Sequence, residues 1–253
     1  MKASLRRQEI LSYLEKNQIG YTSVLCQELN VSAMTIHRDF EAMAKQGLVT
    51  LIRGGASINH GTAMLYSQSL RQTHLPLQKH RIAAYCADLV HEGATVFIDC
   101  GSTTERIAKA LNSKKNVTFL TNSLTCAHIL SNNKESKLVM VPGVYSALLH
   151  GFSGQFTMDF IQRFQLDLIF LGANGLDAEH GLTSPDITDA ETKRMLIKHA
   201  HKVVVATDHT KLGQVCFISI AKLSSVDMIV TDNEADPYIV EGIRTANTNI
   251  VLV

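Results

Sequence analysis

Tryptophan is absent from this 253-residue chain, proline occurs only four times, and no apolar run approaches the roughly 18 residues of a membrane span. The amino end, Met-Lys-Ala-Ser-Leu-Arg-Arg, runs into a polar amphipathic stretch without the apolar centre of a secretion signal, so a cytoplasmic protein with no membrane partner is expected. Cysteine is sparse as well. Cys26, Cys86, Cys100, Cys126 and Cys216 are too scattered for a disulfide framework or a Cys-x-x-Cys metal site, and are read as reduced thiols. Neither charge sign dominates: 24 Lys and Arg face 23 Asp and Glu. The first sixty residues hold seven basic against five acidic side chains, a weak asymmetry that a solvated surface also produces. There is no Gly-x-Ser-x-Gly elbow, no His-Glu-x-x-His helix and no Walker lysine loop. The eleven histidines, including the His199-x-His201 pair, have no metal-ligand spacing and are read as mostly solvent-facing. No cofactor, metal or catalytic residue is therefore expected.

What remains is an ordered globular composition, 45% hydrophobic and 19% charged. Its most informative stretch is residues 31–40, Val-Ser-Ala-Met-Thr-Ile-His-Arg-Asp-Phe. Ser32 suits a helix cap, and Ile36, Phe40 and Met43 recur at i, i+4, i+7 on one face. The other face, Ala33, Met34, Thr35, His37 and Arg38, is small or polar and would fit a major groove about 12 Å wide. Upstream, a helix over residues 4–16 carries Ile10, Leu11 and Leu14, and a second, capped by Thr22 or Ser23, carries Leu25 and Leu29. Helix, tight turn, outward helix is the helix-turn-helix order, although the same stripes suit any small helical bundle. After Gly47 the β-prone run 48–56 ends in a Gly pair, which predicts a hairpin with Arg53 at its tip, a wing able to meet a phosphate.

These residues carry a resemblance. Arg6-Arg7-Gln8-Glu9-Ile10-Leu11, Glu28-Leu29, Val31-Ser32, Thr35-Ile36-His37-Arg38-Asp39-Phe40, Gly47-Leu48-Val49 and Gly54-Gly55-Ala56 are similar, in order and spacing, to the DeoR family of bacterial transcriptional regulators. His37 stands where the family usually has a second arginine, and Thr50 where a basic wing residue is common. The resemblance implies a double-stranded DNA operator as partner, met by Ser32, Ala33, Thr35, His37 and Arg38, with Arg53 on the wing. Arg38 is the leading candidate for a guanine or phosphate. Arg6 and Arg7 are candidates for backbone phosphates, and equally for an ordinary solvated helix start.

Residues 58–78 read as a polar linker, with Gly61 and Pro76 as breakers and a partial helix over 66–71. Beyond it, apolar runs at 95–98, 117–120, 137–141, 167–171, 203–206, 228–230 and 250–253 alternate with helix-spaced stretches at 82–90, 107–111, 124–130, 156–164, 195–200 and 239–244. That alternation predicts a mainly parallel sheet covered on both faces. The expected architecture is α/β: a winged helix-turn-helix over 1–57, a linker over 58–78, and a sensor domain over 79–253.

In such sheets ligands sit beyond the carboxyl ends of the strands. Polar residues converge there: Asp99 with Gly101-Ser102-Thr103-Thr104, then Thr121-Asn122-Ser123, Gly172-Ala173-Asn174-Gly175, and Asp208 with Lys211. The Gly101 to Thr104 run fits either a phosphate cradle at a helix start or a plain capped turn. Together with Gly181-Leu182-Thr183, these positions resemble the DeoR sensor domain, which is similar in fold to ribose-5-phosphate isomerase. The resemblance implies a phosphorylated sugar as effector. Gly101, Ser102, Thr103 and Thr104 would hold the phosphate and Lys211 a countercharge. Asp99, Asn122, Asn174 and Asp208, with Gly175 in the same loop, would meet the sugar.

An isomerase would need a carboxylate base. Asn174 stands where an isomerase relative carries an aspartate, and Asp177, Asp186, Asp189 and Glu191 are read as surface or capping groups. The expectation is a ligand-controlled repressor of sugar-metabolism genes, not an enzyme, working as a dimer or tetramer because paired half-sites need two reading heads. A sugar-phosphate isomerase with a helical appendage is the alternative. A DNA-binding protein whose second domain only oligomerises is a third reading.

Overall fold

The computed structural model describes residues 2–45, 48–58, 68–246 and 249–253. Gly47, where the pattern turns β-prone, the expected breaker Gly61 and the linker helix start at Tyr66 lie outside them. The chain divides into two compact units, Met1–His74 and Leu75–Val253.

The first unit contains α1 (Ala3–Asn17), β1 (Ile19–Tyr21), α2 (Thr22–Leu29), α3 (Ala33–Lys45), β2 (Val49–Ile52), β3 (Gly55–Ile58) and α4 (Gln68–Thr73). Ile10, Leu14, Leu25, Ile36, Phe40 and Met43 form its core, as their helical spacing predicts. α1 stops at Gln18, which takes a left-handed turn (φ 66°) and donates to the Leu14 carbonyl at 2.7 Å. Asn30 (φ 49°) ends α2 in the same way, making the tight turn into α3. The expected capping of α2 by Thr22 or Ser23 is not what forms: Tyr21 is the N-cap residue, and the buried Thr22 hydroxyl has no hydrogen-bond partner among the described residues. Tyr21 still belongs to β1, so the extended chain runs straight into the helix.

The hairpin is also larger than its sequence suggests. β3 pairs with β2 on one side and with β1 on the other, so the wing is a three-stranded antiparallel sheet. A glycine crossing makes this possible. A Cβ on Gly55 would lie 2.2 Å from the Gly20 carbonyl oxygen, so only a residue without one lets the strands approach.

The second unit opens with α5 (Pro76–Asp88), so Pro76 starts a helix rather than breaking one. There follow β4 (Thr95–Ile98), α6 (Ser102–Leu111), β5 (Thr118–Thr121), α7 (Leu124–Leu130), β6 (Lys137–Met140), β7 (Val144–Ser146), β8 (Gly151–Ser153), α8 (Gln155–Ile161) and β9 (Leu168–Leu171). The remainder is β10 (Gly175–Asp177), β11 (Gly181–Ser184), α9 (Ile187–Lys198), β12 (Val203–Ala206), β13 (Ile218–Ala221), β14 (Met228–Thr231), α10 (Pro237–Thr245) and β15 (Asn249–Leu252). A seven-stranded sheet has the order β15-β14-β12-β9-β4-β5-β6, with every pairing parallel. Phe97, Leu120, Ile169, Leu171, Val205 and Ile229 pack into a core on one face, while Val96, Ile98, Phe119, Phe170, Val204 and Val230 pack on the other. Burial on both sides explains why these strands read as unbroken apolar runs.

Strand order reverses between β4 and β9: the chain steps outward to β5 and β6, then returns to the other flank of β4. Crevices at such reversals lie beyond the carboxyl ends of the strands. Two small additions escape the sequence, the β7–β8 hairpin and the antiparallel β10-β11-β13 sheet, whose three- and four-residue strands are too short to show a period.

Replacing Gly55 by Ala forces a carbon into a backbone carbonyl that cannot swing aside. Urea denaturation of the full chain followed by circular dichroism should show the first unit destabilised by about 3 kcal/mol; an unchanged transition would refute the crossing.

Candidate functional site

In the first unit, α3 turns Ile36, Phe40 and Met43 inward and leaves Ala33, Met34, His37 and Arg38 exposed. The Ser32 hydroxyl accepts from the Thr35 N–H at 3.3 Å and lies 2.9 Å from the Thr35 hydroxyl, which caps the helix and holds both groups at its outer end. Arg38 and His37 make no ion pair or hydrogen bond among the described residues. Arg53 is exposed in the β2–β3 turn, where Gly54 takes φ +80°.

Arg6 and Arg7 are not plain solvated groups. Both donate through Nε to Asp39, at 2.5 and 2.8 Å, and Asp39 is 1% exposed. Asp39 follows Arg38 directly, so this bridge fixes the rotation of α3 against α1. Sequence reading missed Asp39 because its partners lie more than thirty residues away.

In the second unit, Asp99 follows β4 and Gly172 follows β9, on either side of the strand-order reversal. The Gly172 N–H donates to Asp99 Oδ2 at 3.1 Å. Lys193, from the middle of α9 and 2% exposed, places its ammonium 3.4 Å from Asp99 and 2.9 Å from Asp189, which also accepts from the Ser184 hydroxyl at 2.8 Å. Burial alone would lower the Lys193 pKa, but the two carboxylates overcome it and hold the amine protonated. Burial pushes the Asp99 carboxyl up, against the pull of Lys193. Asp189 is thus an interior charge, correcting its reading as a surface or capping group. Asp177 and Asp186 do accept N–H groups of local turns, from His180 and Asp189 respectively, and Glu191 pairs with Arg194. Lys193 was not anticipated at all: a Lys spaced four after an Asp on a helix usually marks a solvated pair.

Two buried acceptors after β4 and β5, Oδ1 of Asp99 and Oδ1 of Asn122, have no hydrogen-bond partner among the described residues. The Asn122 amide is oriented by its Nδ2, which donates to the Phe152 carbonyl at 2.9 Å. A buried acceptor left unmade costs about 1–3 kcal/mol, so a pair of them at a strand-order reversal fits a ligand that brings donors. Nearby, Gly101 is the N-cap of α6 and no side chain caps that helix start; Ser102, Thr103 and Thr104 form its first turn, with Thr104 Oγ1 donating to the Gly101 carbonyl at 3.1 Å. Free N–H groups there favour an anion. Thr121 is occupied between the Ile98 carbonyl and the Ser123 N–H, and Ser123 caps α7.

Lys211 and Lys193 both lie close enough to Cys216 for their charges to oppose the upward shift that burial gives its thiol. Asn174, half-buried, stands between Gly172 and Gly175. A packing role accounts for Gly175: a Cβ there would lie 2.5 Å from the Thr183 hydroxyl and 2.6 Å from the Gln214 carbonyl. Asp208, after β12, is buried against Lys79 of α5 at 3.7 Å. Beside it, His209 is not solvent-facing as expected: its Nδ1 is 2.7 Å from buried Asp232, which also accepts the His209 N–H at 2.9 Å. Cys86 and Cys126 are pushed up to about 12 by burial and stay thiols, and all five cysteines are free.

Both units resemble known proteins. The DeoR-like helix-turn-helix domain matches residues 6–62, and the DeoR C terminal sensor domain matches residues 76–233. The chain belongs to the DeoR family. DeoR-family relatives include the glycerol-3-phosphate regulon repressor of Haemophilus influenzae, 32% identical over 100% of this chain and 98% of that protein. The repressor of the same name from Escherichia coli is 31% identical over 92% of each chain, and the transcriptional regulator IolR of Bacillus subtilis is 29% identical over 92% of each. Among solved structures, ribose 5-phosphate isomerase A from Methanocaldococcus jannaschii is similar at 17% identity over 53% of this chain and 52% of that one, with a TM-score of 0.39. This DeoR-family chain is a DNA-binding transcriptional regulator, and no described helix is long and apolar enough to cross a membrane.

The His209–Asp232 pair gives the DeoR sensor unit a pH dependence of definite sign. The hydrogen bond to Asp232 raises the His209 pKa above 6.5, so its contribution is complete below that value and is lost as pH rises through the folded pKa. Asp232 is desolvated, yet its bonds to His209 lower it below 3.8, so its contribution holds above 3.8 and is lost as pH falls through the depressed value. His209→Gln should therefore lower Tm more at about pH 5.5 than at about pH 9, by differential scanning fluorimetry; an equal loss at both would contradict the pair.

Proposed function

We propose that the chain represses genes of sugar or polyol metabolism, and that a phosphorylated sugar or polyol bound at the strand-order reversal sets its affinity for an operator. The observation that carries the effector half is the pair of buried, unpartnered acceptors on Asp99 and Asn122 beside the uncapped start of α6. Acceptors want hydroxyl donors, and an uncapped helix start wants an anion, so one small molecule with both groups answers both needs. Lys211 supplies countercharge, and Asn174 and Asp208 line the same edge. The relatives named for the glycerol-3-phosphate regulon favour an effector of this small size.

The DNA half places Ala33, Thr35, His37 and Arg38 of α3 in the major groove, with Ser32 holding the helix start and Arg53 on the wing near a phosphate. Arg6 and Arg7 hold α3 through Asp39 at the start of α1, where the DNA backbone would pass. Two copies act together, since half-sites roughly 34–36 Å apart need two reading heads. Effector binding shifts operator affinity by its differential affinity for the two states of the protein.

Arg38→Ala should weaken binding to a duplex selected from a random pool by the wild-type chain, by about 10- to 100-fold in fluorescence anisotropy, the worth of a bidentate base contact. Unchanged affinity would remove Arg38 from the interface.

In a thermal-shift panel, phosphorylated sugars and polyols should raise Tm where their unphosphorylated forms do not, with about 2.7 kcal/mol of stabilisation at 100 times Kd. Lys211→Ala should lose most of that gain. A panel without any stabilising compound would leave the second unit with no sensor role.

A further inference from the structure

α5 is the first element of the sensor unit, and its first two turns are tied to two strand ends at once. Lys79, 2% exposed, reaches Asp208 after β12 at 3.7 Å. Gln78 Nε2 donates to Glu234 at 2.7 Å, and Arg81 donates to Asn233 Oδ1 at 3.2 Å and pairs with Glu234 at 3.7 Å, all beyond β14. The two loops are themselves joined, since Asp232 accepts both the N–H and the ring of His209. Asp208 sits three residues before Lys211, on the edge assigned above to the effector.

The other end of Lys79 faces the junction. Its backbone N–H donates to the Leu75 carbonyl at 3.1 Å, and Leu75 is the first residue after His74, where the DNA-binding unit ends. Leu75 takes a left-handed conformation (φ 48°, ψ 54°), and Pro76 after it has a fixed φ and no N–H. Leu75 and Pro76 are therefore held against the first turn of α5. One residue thus holds the junction with its main chain and the effector edge with its side chain.

We propose that the Lys79–Asp208 ion pair is the coupling element of this regulator. A ligand that competes for Asp208 or draws Lys211 inward loosens or tightens that pair, and the first turn of α5 passes the change through Leu75 and Pro76 to the segment entering the DNA-binding unit. The surface pairs at Gln78 and Arg81 keep α5 seated on the β14 loop, so that the change moves the turn and not the whole helix. An ion pair in a dry setting suits a two-state element, because separating a buried ammonium from a buried carboxylate is costly. This inference rests on the effector reading for its ligand, but the mechanical link holds without one.

The test uses the full-length chain and has two arms. In hydrogen exchange without ligand, Lys79→Met should speed amide exchange about tenfold in both residues 75–82 and residues 208–213, and Lys79→Arg should restore protection. Exchange confined to residues 75–82 would overturn the proposal. In the second arm, operator affinity is measured with and without sn-glycerol 3-phosphate, or with the panel compound that most stabilises the wild type. Lys79→Met should bring the effector's influence on operator affinity close to unity, from the roughly 5- to 150-fold usual for such coupling, while the probe binds as tightly as to the wild type or more tightly. An intact response would overturn the proposal. So would a parallel loss of probe binding, since Lys79 would then be a ligand contact. If no compound binds the wild type, the effector reading falls on its own and the exchange arm still decides the link. Should Lys79→Met fail to fold, Lys79→Gln gives the same two readouts with a polar partner left for Asp208.

Discussion

One ammonium between two carboxylates, deep at the carboxyl edge of the parallel sheet, is the constraint on which the sensor unit depends. Lys193 joins α9 to the end of β4 through Asp99 and to its own first turn through Asp189. Three charges out of water are tolerable only with close geometry and satisfied lone pairs. The Ser184 hydroxyl and the Gly172 N–H provide some of that satisfaction. Among the described residues the cluster still has one carboxylate more than it has cations and one Asp99 oxygen without a donor. It is therefore a place that hydrogen-bond donors would stabilise.

The DNA-reading unit solves a related problem with the charges reversed. There a single carboxylate, Asp39, sits between two guanidinium groups and fixes a helix whose opposite face must stay bare. In both units a buried charge positions a helix, α3 in one and α9 in the other. Apolar packing alone fixes a helix less sharply in rotation, because ridges and grooves admit several related placements.

Much of this was legible in the chain. The stripe Ile36, Phe40, Met43 determined which side of α3 faces outward, and the apolar runs beginning at Thr95, Val203 and Met228 marked parallel strands buried on two faces. Glycine and hydroxyl residues at Gly101 to Thr104 marked a helix start. The sequence was silent where spacing carries no information about distance. Asp189 and Lys193 have the pattern of a solvated helix pair, and only the packing of α9 under the sheet makes them an interior cluster. Lys79 and Asp208 are separated by more than a hundred residues of intervening sheet. The Gly20–Gly55 crossing turned an expected hairpin into three strands because β1, at three residues, is too short to announce itself.

The amino-acid order by itself determined the family, the two-part architecture, the reading helix and the edge of the sheet where polar groups gather. These follow from local periodicity and from motifs contiguous in the chain. Only the tertiary structure decided which charges are buried and paired, which acceptors are left open, and how the first helix of the sensor unit is tied to the end of β12. Those depend on which distant segments meet and on how completely water is excluded between them.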